Sequence, residues 1–199
     1  MGIRDIIKAF TDPDAEYLLN DTIKIQFQHY DDIKNKYGKE ETDHHEILTN
    51  LWVQNQYARN NSMTRIPLEL NERDATYYQT LGFITVPTLA VMNKEDACTM
   101  MGLQFYLLNM QNENPAWLSR STNTIIKARK TIDDISKKYE NIFSNTEELE
   151  KAYKRKNPVS TKYMEMLFPG KTIIDIINEY PELQKTIVSN YTGIDINEL

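Results

Sequence analysis

The chain has 199 residues, with 23 Lys+Arg against 29 Asp+Glu, three His, one Cys, six Gly and seven Pro. That length suits one domain, or one domain with a small appendage, and lets roughly 70% of the unfolded surface be buried without help from a disulfide or metal. A lone Cys98 excludes an intramolecular disulfide framework and a Cys-rich zinc site, runs 81–92 and 97–110 are shorter than the ~20 residues of a bilayer span, and MGIRDIIKAF lacks the apolar core of a secretory signal.

Charge is segregated along the chain. Residues 1–119 hold ten basic and 17 acidic side chains, 120–171 hold 12 and seven, and 172–199 hold one and five, for nets of −7, +5 and −4. Such blocks orient subunits or meet a polyanion, although solvated helix faces give the same pattern.

In chain order, Ile3, Ile6, Ile7 and Phe10 define a short amphipathic helix. Asp12-Pro13 resets the chain. Ala15, Leu19, Ile23, Phe27, Tyr30, Ile33 and Tyr37 then follow helical spacing to a stop at Gly38. Asp43 caps the next helix, with Glu46 at the reciprocal capping-box position and Ile47, Leu48, Leu51, Trp52, Asn55 and Ala58 on its inner face. Residues 63–92 read as an irregular or β-containing insertion. Ile66, Leu68 and Leu70 alternate, 72–81 is a short helix, and 83–91 is β-branched but broken by Pro87.

Asn93 caps a helix to about Met110 that is apolar nearly all round and therefore central. Leu118, Ile125, Ala128, Ile132, Ile135, Tyr139 and Ile142 keep a heptad, Ser121 being its polar gap, and imply one long helix with a seam for a partner helix of this or another copy. A charged helix from Ser144 to Lys156 follows, capped by Asn145 or Ser144, then the stop Asn157-Pro158 and a further helix over 160–167. After the turn Phe168-Pro169-Gly170, segments 172–180 and 181–190 pair as a helical hairpin.

The expected fold is therefore mainly α: a multi-helix bundle domain over 1–157 with its insertion at 63–92, and a small C-terminal helical subdomain over 158–199.

Chemistry-bearing groups are sparse. Glu41 and His44 have the Glu-x-x-His spacing of a helical metal site, and His45 adjoins them, but a di-iron bundle needs a second such pair and none is present. A solvated capping turn explains the cluster more simply. Gly170-Lys171-Thr172 is the tail of a phosphate loop whose leading glycine is replaced by Glu165, the wrong sign for phosphate. Cys98 lies among Ala97, Met100 and Met101, the setting of a core thiol.

Arg120, Lys127, Lys130, Lys137, Lys154, Arg155 and Lys156 form the candidate interaction surface, with Arg129 and Lys138 nearby. Asp133, Asp134 and Glu140 share that surface and no aromatics interleave to stack bases, which favours a protein partner over nucleic acid. The sequence thus points to a non-enzymatic interaction subunit of a homo-oligomeric or multi-subunit assembly, without cofactor or membrane. The alternatives are a metal enzyme built on Glu41, His44 and His45, and a nucleic-acid factor using 120–156. A composition rich in Ile, Asn, Lys and Tyr suggests an AT-rich genome of phage or mobile-element type, hence a place in the host cytoplasm or an assembled particle.

Overall fold

The computed structural model describes residues 13–37, 42–60, 86–110 and 115–179. The expected helix over 3–10, the stop at Gly38, the insertion up to residue 85 and the second arm of the C-terminal hairpin, 181–190, lie outside these residues. The described part is mainly helical and contains no strand.

Its α-helices are α1 (Pro13–Tyr37), α2 (His44–Asn60), α3 (Lys94–Met110), α4 (Pro115–Arg120), α5 (Thr122–Lys138), α6 (Glu140–Phe143), α7 (Thr146–Lys156), α8 (Pro158–Leu167) and α9 (Ile173–Glu179). A 3₁₀ turn spans Leu89–Val91. None of them is long and apolar enough to cross a membrane.

α1 and α3 cross in close contact. Gly102 on α3 sits so near Ile23 on α1 that a Cβ there would lie 2.8 Å from the Ile23 Cα. Only a residue without a side chain lets the two backbones approach this far. Around that crossing, Leu19, Leu103, Tyr106, Met110 and Ala128 form one apolar cluster, with Leu118, Ile125 and Ile132 packed against it. A second, larger cluster joins Ile47, Leu48 and Leu51 of α2 to Met100, Met101, Tyr153, Ile173 and Ile176. Ile132 touches both. Each fully buried Leu, Ile or Met contributes about 1.5–3 kcal/mol, so these clusters hold the bundle together.

Helix starts follow local capping chemistry. Asn93 Oδ1 accepts from the Asp96 N–H at 2.7 Å, and Asn145 Oδ1 accepts from Glu147 and Glu148 N–H at 3.1 and 3.3 Å. Thr172 and Asp175 form a reciprocal box at α9: Thr172 N–H and Oγ donate to Asp175 Oδ2 at 2.9 and 2.8 Å, and Asp175 N–H returns to Thr172 Oγ1 at 3.1 Å. Gly170, at φ +80°, makes the left-handed turn before it. Gly-Lys-Thr is therefore a turn and a cap.

One expectation needs correction. The run 118–142 is three helices, α4, α5 and α6, interrupted at Ser121 and Tyr139. At the second break the Tyr139 N–H bonds the Ser136 carbonyl, 3.1 Å, one residue closer than in an α-helix. That turn brings Lys138 Nζ and Tyr139 Oη onto the two oxygens of Asp96, at 3.0 and 2.7 Å, tying the end of α5 to the start of α3. Of the two alternatives for the insertion, its described end, from residue 86, is irregular and contains no strand. Val86, Leu89, Ala90, Val91 and Met92 are buried around the 3₁₀ turn as part of the main core. Pro87 and the need to cap that turn's carbonyls from outside work against a strand there.

Candidate functional site

The cluster around Asp43 is where the sequence placed its only enzyme-like grouping. Asp43 begins as expected: its Oδ1 accepts from the Glu46 N–H at 3.1 Å and caps α2. The same carboxylate then reaches across the molecule, Oδ1 taking the Ser160 Oγ–H at 2.7 Å and Oδ2 the Ser160 N–H at 2.6 Å. One buried carboxylate thus faces the amino ends of two helices, α2 and α8, where the peptide dipoles favour negative charge.

The neighbouring imidazoles turn in different directions. His44 Nδ1 shares a 2.7 Å hydrogen bond with Tyr30 Oη on α1, and His45 Nδ1 shares a short one with Tyr153 Oη on α7. Asn157 completes the junction. Its Oδ1 accepts from the His45 N–H at 2.9 Å, and its Nδ2 donates to the Ala90 and Tyr153 carbonyls, both at 3.1 Å.

Burial governs the titration of this junction. His45, fully enclosed, is pushed down to about 3 by loss of hydration and then by His44. His44 falls to about 4, chiefly through burial, with Lys156 adding to it and the Leu89 and Met92 carbonyls opposing. Burial raises the Tyr30 phenol to about 12 and lifts Tyr153 further still, with the Asp43 carboxylate helping. Cys98, fully buried, is pushed up to about 12 by desolvation, so its reactive thiolate is suppressed. Neutral imidazoles bonded to phenols give a rigid helix junction.

Glu41 lies outside the described residues. Among the described residues no three His, Cys, Asp or Glu side chains are grouped to hold a metal. Sequence reasoning missed Tyr153, Asn157 and Ser160. The local signal was Asn157-Pro158, which looked like a stop and is also the entry to α8.

The basic residues divide into engaged and outward groups. Lys127 pairs with Glu16 of α1, and Lys154 Nζ lies 4.0 Å from Glu165 of α8. Lys156 donates to the Val91 and Met92 carbonyls at 2.5 and 3.2 Å, closing the exposed end of the 3₁₀ turn. Lys156 is thus partly a structural cap. Arg120, Lys130, Lys137 and Arg155 are exposed, as is Arg129. On α5, Lys130 and Lys137 lie on the side opposite Ala128 and Ile135, the side that also carries Ile126, which is 58% exposed and one turn before Lys130. A shallow groove of about 570 Å³ runs along this helix, lined by Asp133, Ser136, Lys137, Glu140, Phe143 and Ser144.

No protein-family model, curated protein or solved structure matches the chain.

Proposed function

We propose that the chain is a non-enzymatic interaction subunit that associates with further copies of itself, its basic middle stretch steering it onto acidic surface of a neighbour. The observation that carries this reading is the outer face of α5. There Lys130 lies one turn from the exposed Ile126 and Lys137 follows two turns further along the same side, and neither takes part in an ion pair among the described residues. Exposed cations around an apolar side chain favour a desolvated contact with an acidic protein surface. The acidic stretch 1–119 of another copy supplies such a surface. Asp133 and Asp134 on the same helix weigh against nucleic acid, which would meet uninterrupted positive charge. A subunit of a phage or mobile-element assembly fits this role.

The test is the mass of the full chain by light scattering or sedimentation across a salt series. Association is expected to loosen as salt rises, because exposed pairs are screened over about 8 Å at physiological ionic strength. Lys130→Glu, Lys137→Glu and Arg155→Glu together should loosen it at low salt. Lys156 is left intact because its substitution would disturb the 3₁₀ turn. An unchanged mass in the triple variant overturns the electrostatic reading, and binding to DNA or RNA lost in that variant would replace it with the nucleic-acid one.

A further inference from the structure

The outer side of α5 carries charge of alternating sign. At about 100° per residue, Ile126, Lys130, Asp133 and Lys137 fall within an arc of about 60°, on the side away from the buried Ala128 and Ile135. All of them are exposed. Glu140 of α6, exposed as well, extends the same surface, since it lines one groove with Asp133 and Lys137. Along the chain the charged members Lys130, Asp133, Lys137 and Glu140 run plus, minus, plus, minus at helical spacing. None of them has an ion pair among the described residues.

This order is its own complement when reversed. Two copies of α5 laid antiparallel, with a two-fold axis level with residue 135, set Lys130 against the partner's Glu140 and Asp133 against the partner's Lys137. The symmetry repeats both pairs, so every one of these charges meets its opposite. Parallel pairing would set Lys130 on Lys130 and Asp133 on Asp133, which repels. Sliding the antiparallel pair by one heptad leaves Asp133 opposite Ser144 in one direction and Lys137 opposite Ile126 in the other.

The same register places the exposed apolar side chain. Ile126, 58% exposed, comes level with the partner's Ser144, at the end of the groove lined by Phe143 and Ser144. Phe143 is half-buried and stacks on Tyr139 with ring centres 6.0 Å apart, which gives Ile126 an apolar wall to cover. Exposed ion pairs each add little, so the charges act by excluding the other arrangements while Ile126 supplies the apolar contact.

We infer, resting on the self-association proposed above, that α5 of one copy pairs antiparallel with α5 of a second across a two-fold axis, giving a closed dimer. The partner's Glu140 and Asp133 are then the carboxylates that Lys130 and Lys137 meet, and the acidic 1–119 stretch acts at longer range by steering. One helix on one helix is a small interface, so the dimer is weak and is read at high protein concentration.

The experiment is sedimentation of the full-length chain at low salt, with the variants Asp133→Lys, Lys137→Asp and the two combined, all at exposed positions and each checked by a melting curve. Either single change sets like charges face to face twice across the axis and is expected to raise the apparent Kd by about tenfold or more. The combined variant restores both pairs with their signs exchanged and keeps the net charge, so it should return to within about threefold of the wild type. A combined variant as weak as the singles overturns the antiparallel register. Tighter association of Asp133→Lys means that the basic face meets acidic surface elsewhere on a neighbour, which overturns the α5 pairing and leaves self-association standing. Assembly that none of the variants alters has the same consequence. A wild type that stays monomeric at every concentration overturns both.

Discussion

Asp43 and Ser160, 117 positions apart, hold the start of α2 against the start of α8 through two hydrogen bonds of 2.6 and 2.7 Å. Because the same carboxylate also caps α2 at Glu46, Asp43→Ala strips three donors at once. A lost cap costs ~1 kcal/mol and each buried donor left unpaired ~1–3, so the loss should be about 3 kcal/mol. Ser160→Ala removes one bond and should cost about 1 kcal/mol. Urea unfolding checks both. Equal effects of the two variants would mean that Asp43 does not serve both helices.

Stability should fall on mild acidification, and the buried His45 and half-buried His44 set the window. Their folded values, about 4 for His44 and about 3 for His45, lie below the unfolded value near 6.5. Below 6.5 the unfolded chain therefore binds more protons, so their contribution is complete above 6.5 and is lost as pH falls toward the folded values. Each histidine adds a slope of ~1.4 kcal/mol per pH unit between pH 6 and 5. Glu46 is shifted upward by burial and by Asp43 and acts in the opposite sense nearer its own range, so pH 6.5 to 5 is the informative interval. Unfolding measured at pH 7, 6 and 5 should show the slope, and His45→Gln should remove about half of it. A flat profile over this interval would show that the histidines are not held neutral.

What the sequence disclosed was local. Asp43, Asn93 and Asn145 announced their helices because a cap needs only the next three residues, and the inward positions Leu19, Leu48, Leu51 and Ala128 followed from spacing. The histidines read as a surface turn because periodicity says nothing of what α7 and α8 bring to the same place. Tyr153 and Asn157 meet His45 only once the chain has crossed back over more than a hundred residues. Likewise the break at Tyr139 is dictated by Asp96 on another helix, so an unbroken heptad was no guide to it. Lys156 looked like one more surface cation, and only the fold sets it on the Val91 and Met92 carbonyls.

Gly102→Ala sets two effects against each other. Alanine is better than glycine inside a helix by ~1 kcal/mol. The new Cβ, however, would lie 2.8 Å from the Ile23 Cα and 3.2 Å from its nitrogen, both backbone atoms that no rotamer change can move. Overpacking costs ~1–3 kcal/mol, so net destabilisation of about 1 kcal/mol or more is expected. Ile23→Ala should not rescue it, since the clash is with the backbone of α1. A higher melting temperature for Gly102→Ala would show that the helices separate easily.

The pair Gln26 and Asn55 makes a reciprocal amide contact between α1 and α2, with bonds of 3.0 and 2.9 Å, and both residues are buried. Removing one partner leaves the other's amide in the core without its bonds, at ~1–3 kcal/mol. Replacing both with Leu removes the polar groups together and should cost less than the two single changes added. A double-mutant cycle by urea unfolding is expected to give a coupling of about 1–2 kcal/mol. Additive losses would show that the amides act as independent space-fillers.

Ile132 and Ile126 lie on different sides of α5, about 120° apart, and separate the fold from the surface. Ile132 packs against both apolar clusters, whereas Ile126 is 58% exposed among Lys130 and its neighbours. An aspartate at 132 sets a half-buried carboxylate against both apolar clusters and removes the side chain that joins them, at a cost of about 2–4 kcal/mol. For a domain of marginal stability that is enough to unfold it at ordinary temperature. Ile126→Asp leaves water around its new charge and should change the unfolding free energy by no more than ~0.5 kcal/mol. The same substitution puts negative charge in the middle of the basic face, so it should weaken association with an acidic surface while the melting curve stays put. Circular dichroism melting and sedimentation on the two variants check both halves. Equal melting temperatures for the pair would show that the inner face of α5 does not carry the core.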